Sequence, residues 1–227
     1  MSEKRELSNL FYVLNKMGIG DLTANHASIL SQNKKGYYIN KHKYLFSQVN
    51  QNNLVFVSLK DNYSTKYKHV NKAGFHIHKY LHNSIAKPKA ILHTHTVNGI
   101  AISCLKNGFN TKLNQSSMRF HNKIEYFKYN GMVVDDKEGI KLKKIIKKDT
   151  KLIILRNHGI ILIGESIDEI FHLNYHFEKC AEVQLLLGNK VLNHSNNKLA
   201  KLTSLQHGSF GKIGSMSWSA IKKQFNL

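Results

Sequence analysis

Two short stretches of this chain carry side chains that could do chemistry together: Ile91-Leu92-His93-Thr94-His95-Thr96 and, further along, Arg156-Asn157-His158-Gly159. Both lie against apolar, β-branched runs, so their histidines should project from strand ends. Alternate residues of a strand share a face, which puts His93 and His95 on one side with their rings close together. One more imidazole from a neighbouring strand would complete a three-nitrogen metal site with an open fourth position, the arrangement of catalytic zinc. His158 sits in a tight Asn-His-Gly turn between two apolar runs, where Gly159 lets the backbone reverse or approach closely. All-nitrogen ligation favours zinc, although iron, nickel or cobalt also fit. The plain alternative is a pair of core or edge histidines satisfied by hydrogen bonds, beside an ordinary hairpin turn. Phe75-His76-Ile77-His78 repeats the His-x-His spacing in a segment that reads as helix. Residues two apart on a helix face nearly opposite ways, so His76 and His78 are poor partners for one ion.

The elements that must position these residues follow from periodicity. Leu7, Leu10, Leu14 and Met17 predict an N-terminal helix ended by Gly18 and Gly20. Strands are expected over 27–31 and 37–40, joined by Asn33-Lys34-Lys35-Gly36, and again over 54–59 and 90–95. Residues 75–81 read as a helix. A loop-rich middle leads to an amphipathic helix over 141–148, and 152–155 and 160–163 flank the Asn-His-Gly turn as strands. Ser166-Ile167-Asp168-Glu169 is a capping box. It opens a helix with Ile170, Leu173, Phe177 and Ala181 on one face, stopping near Gly188. The chain then reads as polar and irregular until Trp218, Ile221 and Phe225, which suit a short docking helix. The order is mixed α/β, with antiparallel neighbours where connections are short.

At 227 residues the chain suits one well-buried core rather than two, and 41% hydrophobic residues argue against disorder. No apolar run is long enough to span a bilayer, and Met1-Ser2-Glu3-Lys4-Arg5 is not followed by an apolar signal core, so a soluble cytoplasmic protein is expected. Cys104 and Cys180 have neither disulfide nor zinc-binding spacing. The formal charge of +20 comes almost wholly from lysines spread end to end, since Arg5, Arg119 and Arg156 are the only arginines. Without a nucleic-acid motif, such charge speaks to solubility and diffuse attraction, and no specific nucleic-acid partner is expected.

Several pieces, taken in order, resemble the class II aldolase and adducin family, its adducin-like branch more than its sugar-phosphate aldolases. They are Asn25-His26; Asn71, Ala73-Gly74-Phe75 and His78; His93-Thr94-His95-Thr96 with Gly99, Ala101 and Ser103; Leu155-Arg156-Asn157-His158-Gly159; Gly164-Glu165-Ser166; and Glu182-Val183-Gln184. The resemblance implies a three-layer α/β/α domain around a central, largely antiparallel mixed sheet. That domain would span residues 1–190, with 191–227 an irregular tail ending in a short helix. It also implies a homo-tetramer with sites between subunits. Histidines matching His93, His95 and His158 would hold zinc against the hydroxyl and carbonyl oxygens of a small-molecule substrate. Thr23 and Asn25 are the implied substrate contacts.

The departures point to a second function. The aldolases place a glutamate one helix upstream of the metal strand as general acid/base, and Gly74 holds that place here. Its loss should cost on the order of 10²–10⁴ in rate. His26, His76 and His121 are the histidines that could stand in, and the sequence does not choose among them. Thr23-Ala24-Asn25-His26 replaces a Thr-x-Gly-Asn loop, and the next expected glycine falls near Lys43, which weakens the backbone phosphate cradle. The resemblance therefore implies either a zinc-dependent aldehyde lyase on a small hydroxy-carbonyl or sugar-phosphate compound, or a non-catalytic adducin-like assembly module that keeps the fold.

Overall fold

Every residue of the strands Ala90–Thr94, Leu152–Leu155 and Gly159–Gly164 is buried, so both faces of the sheet they form must be covered. The computed structural model describes residues 2–188, 190, 192–209 and 212–227. In chain order its elements are α1 (Glu3–Lys16), β1 (His26–Leu30), β2 (Gly36–Asn40), β3 (Leu54–Ser58), α2 (Lys72–His82), β4 (Ala90–Thr94) and α3 (Val97–Cys104). β5 (Ile124–Phe127), α4 (Asp136–Ile145), β6 (Leu152–Leu155), β7 (Gly159–Gly164), α5 (Ile167–Leu187), α6 (Asn197–Ser209) and α7 (Ser215–Gln224) follow. The strands make one sheet of order β3-β2-β1-β4-β7-β6-β5, antiparallel throughout except for the β5–β6 pair.

Side-chain alternation sorts the core into two layers. Leu92, Leu152, Ile154, Ile160 and Leu162 pack with α1, α3 and α5. Ile91, Ile153, Leu155, Ile161 and Ile163 pack with Ile77 and Leu81 of α2 and Leu142 of α4 on the other side. Three layers result, α/β/α, as the family resemblance implied. The first helix stops where Gly18 takes φ +71°, letting the amide of Ile19 reach back to the Leu14 carbonyl. The cap of α5 differs in one detail from the expected box. The Ser166 hydroxyl accepts from the Glu169 amide, but the Glu169 carboxylate returns to the amide of Glu165, one residue before the cap.

Some elements were not expected. Helix α3 is short and apolar on most sides, so it showed no period; Thr96 caps it by accepting from the Gly99 amide. The lysine-rich helix begins earlier than expected, because Asp135 caps it, and ends at Ile145. The segment expected to be irregular contains α6. Its buried residues are only Ala200 and Ser204, and two small side chains give no amphipathic signal. Contacts from elsewhere hold it: the Ser204 hydroxyl donates to the Arg119 carbonyl at 3.5 Å, and His207 Nε2 to the Gln115 carbonyl at 3.0 Å.

Helix α7 docks as Trp218 predicted. The indole is 4% exposed, lies 5.0 Å from the Phe171 ring and donates from Nε1 to the Glu6 carboxylate at 2.7 Å, tying the last helix to the first. Trp218→Ala should therefore cost about 3–5 kcal/mol. Urea denaturation reads this, and a change below about 1 kcal/mol would show that α7 does not contribute to the core.

Candidate metal centre

Strand β4 carries His93 directly opposite His26 of β1 and Ile161 of β7. His95 follows one residue past the end of β4. His158 lies in the turn between β6 and β7, where Asn157 takes the left-handed conformation at φ +57°. Gly159 serves close approach rather than reversal: a Cβ there would meet the Thr94 carbonyl oxygen at 2.5 Å. Lacking a Cβ there, the His158 turn lies close against the end of β4. The His158 amide donates to Ser103 Oγ at 3.1 Å, which fixes the turn to α3 as well.

The three rings converge. His95 Nε2 lies 2.8 Å from His93 Nε2 and 2.9 Å from His158 Nε2, and one ligand nitrogen from each ring falls within 4.8 Å of the others. The far nitrogens decide what the near ones are. His93 Nδ1 lies 2.8 Å from the Ile160 carbonyl, which can only accept, so the His93 proton sits on Nδ1. His95 Nδ1 donates to the Asp21 carboxylate at 3.0 Å. In neutral rings both Nε2 atoms are then bare lone pairs facing each other. That contact is repulsive unless a cation lies between them.

A proton does not suit this position at neutral pH. Burial pushes the His93 pKa well below its ordinary value, helped by His26, His95 and His158. Burial and His95 bring His158 down to about 4. A divalent metal does suit it. The donor set fits zinc: three imidazole nitrogens within 4.8 Å of one another, from His93, His95 and His158, would hold it and leave a position open for a substrate oxygen. The outer hydrogen bonds from Ile160 and Asp21 are of the kind that orient metal-ligating imidazoles.

Other expected residues fall in different places. Asn25 reaches the site: its Oδ1 accepts from the His95 amide at 3.0 Å, while its Nδ2 is buried and meets no acceptor among the described residues. Thr23 contributes its carbonyl to His42 Nδ1 at 3.1 Å. His76 pairs with Asp136 at 3.2 Å and His121 with Thr111 at 3.0 Å. His26 does reach the site, its ring centroid 4.8 Å from that of His93.

A cleft of about 780 Å³ opens beside His95, lined among others by Asp21, Asn98, Tyr175, Glu178 and Glu182. Glu178 accepts from Thr96 Oγ1 at 2.7 Å and from Asn98, and burial raises its pKa. Neither Asp21 nor Glu178 was singled out in the sequence, because isolated acids in a loop and on a helix make no pattern. A slightly larger cleft of about 830 Å³ lies at the opposite end of the sheet, between Lys89, Glu165 and Trp218, and holds none of the triad.

With this geometry in place, comparison identifies the class. The profile of the class II aldolase and adducin N-terminal domain matches residues 5–185, and the chain belongs to that family. Alpha-adducin of Rattus norvegicus is 29% identical over 185 residues, covering 79% of this chain but only 25% of the adducin. The chain thus spans about a quarter of the length of that relative. An aldolase II superfamily protein from Pseudomonas syringae superposes with a TM-score of 0.87 at 25% identity, covering 98% of this chain and 91% of the other. An L-fuculose 1-phosphate aldolase from Glaciozyma antarctica shares the fold, with a TM-score of 0.77 at 22% identity over 98% of this chain and 89% of its own.

The buried histidines make stability pH-dependent. His82, on α2, is brought down to about 4 by burial, which outweighs its bond to the Pro88 carbonyl. An unfolded chain protonates this ring near pH 6.5, so it binds the extra proton first as pH falls, and acid favours unfolding. His82 alone should remove roughly 3 kcal/mol between pH 6.5 and pH 4. Urea melts at pH 7 and pH 4.5 measure the loss; equal midpoints would mean that the ring titrates as if in water.

Proposed function

We propose that this protein is a zinc-dependent aldehyde lyase acting on a small hydroxy-carbonyl or sugar-phosphate compound, with zinc held by His93, His95 and His158. The observation that carries this reading is the facing pair of unprotonated Nε2 atoms on His93 and His95, with His158 beside them. Donors that are all nitrogen favour zinc over harder ions. Bound there, the metal supplies Lewis-acid stabilisation of charge on a substrate oxygen.

The chain's own residues do the remaining work. Ile160 and Asp21 fix the tautomers of His93 and His95, so both present lone pairs inward. Asn25 Nδ2, buried and without an acceptor among the described residues, offers an N–H to a substrate oxygen. Thr23 lies on the same loop and completes the substrate side of this reading. Val97, which lines the cleft, is 83% exposed, and Leu22 beside Asp21 is 80% exposed. Such apolar surface at the mouth of a site suits cover by a second copy, and a homo-tetramer is part of the proposal.

A second reading has its own support. Gly74 carries no proton-transferring group, and alpha-adducin is among the relatives, so a metal-bearing, non-catalytic assembly module is the alternative.

Metal analysis of the purified protein should find one zinc per chain, falling to background in His95→Ala. The wild type should release aldehyde from members of a panel of ketoses and ketose phosphates, and His95→Ala should not. A fully loaded wild type inert across the panel selects the assembly module; a protein without stoichiometric metal ends the lyase reading. Light scattering should give four times the 26.0 kDa chain mass, and a monomer would remove the tetramer.

A further inference from the structure

A second set of titratable side chains lies beside the triad. On the sheet face that carries His93, β1 presents His26 and Ser28, and α2 covers them with His78 and His82, four residues apart on one side of the helix. These four are 3%, 0%, 0% and 5% exposed in chain order. Hydrogen bonds join them end to end. His26 Nδ1 lies 2.7 Å from His78 Nε2, His78 Nδ1 lies 2.5 Å from Ser28 Oγ, and Ser28 Oγ lies 2.8 Å from His82 Nε2. His82 Nδ1 ends the series 2.8 Å from the carbonyl oxygen of Pro88.

That last contact sets the direction of all the others. A carbonyl only accepts, so His82 bears its proton on Nδ1 and leaves Nε2 as a lone pair. Ser28 donates to that lone pair, and its oxygen accepts from His78 Nδ1–H. His78 Nε2 is then bare and accepts from His26 Nδ1–H. For neutral rings only this arrangement satisfies every bond. Burial keeps the anchoring ring neutral, bringing His82 down to about 4.

The consequence falls on the free end. His26 Nε2 carries no proton, and no hydrogen-bond partner meets it among the described residues. The ring packs against His93, with centroids 4.8 Å apart. On another side lies Gly74, where a Cβ would come 3.1 Å from this same nitrogen. Glycine at 74 therefore leaves the acceptor edge of His26 uncovered. An isolated imidazole exchanges its tautomers freely; this one is locked through His78, Ser28 and His82 to the Pro88 carbonyl.

We propose that His26 is a ligand-binding residue of the metal centre, whose Nε2, kept bare by His78, Ser28 and His82, accepts a hydrogen bond from a hydroxyl of the bound hydroxy-carbonyl compound. The inference rests on the reading of the site given above and narrows its substrate class. The group facing His26 must be an O–H donor, so a polyhydroxylated carbonyl compound is taken in preference to its deoxy counterpart. His78, Ser28 and His82 are positioning residues that act through His26. Asn25, the residue before His26, supplies the complementary N–H.

Nitrogen-15 NMR of the histidine rings in the zinc-loaded, full-length wild type tests the tautomers without any substitution. His26, His78 and His82 should all carry their proton on Nδ1, and a proton on Nε2 of His26 overturns the proposal. Titration with dihydroxyacetone and with hydroxyacetone, which lacks one hydroxyl, tests the acceptor. The wild type should prefer dihydroxyacetone by about tenfold, and Ser28→Ala should lose that preference while keeping its zinc. Equal affinities in the wild type overturn the proposal and leave the metal reading intact. A protein that binds no zinc removes both together, so the two failures are distinct.

Discussion

Strand β4 is hydrogen-bonded along both edges, to β1 and to β7, and this double pairing sets the spacing of the site. With β4 clamped in the middle of the sheet, His93 cannot shift register without moving Ile91 and Leu92 out of two separate core layers. The same pairing lays the Ile160 carbonyl against His93 Nδ1 and brings the Asn157–Gly159 turn to the end of the strand. A rigid centre, with His93 buried and His95 and His158 partly so, thus presents imidazoles that come from two places in the chain. Precision here derives from backbone pairing and packing more than from any contact among the rings themselves.

The electrostatics of the site run against those of the whole protein. The chain carries a formal charge of +20 with only 14 acidic residues, yet Asp21, Glu178 and Glu182 all line the cleft beside His95. Three acids against Lys179 in that cleft favour a cation locally, while most of the lysines elsewhere are exposed and bear on solubility. Burial does the complementary work on the histidines: by disfavouring the protonated forms it keeps lone pairs available at neutral pH.

Gly74 sets how closely α2 can approach the His26 ring. A Cβ at this position would meet the His26 ring at 3.0–3.2 Å, so any other residue would need that ring to give way by a few tenths of an ångström. A carboxylate side chain here would press on a ring anchored through His78, Ser28 and His82. The polar groups on this face form a continuous bonded series, which differs in kind from a single acid near a metal.

Much of this was written in the local sequence. Alternating and continuous apolar runs marked β4, β6 and β7, because strands buried on both faces need apolar residues at every position. His93-x-His95 and the Asn157-His158-Gly159 turn stood out because their spacing has meaning within one strand or one turn. Trp218, Ile221 and Phe225 announced a docking helix by their helical spacing. Helix α6 stayed hidden because it buries two small residues, and β5 because a four-residue edge strand pairs only through its neighbour. Asp21, Glu178 and the polarity of the His26 series were also beyond reach. Hydrogen bonds between residues 50 or more positions apart depend on which elements become neighbours. Local periodicity therefore determined the elements and the donor types. The direction of each proton, and hence which nitrogens are free to bind, was decided only when the sheet and α2 closed on one another, because a tautomer answers to its partner across space.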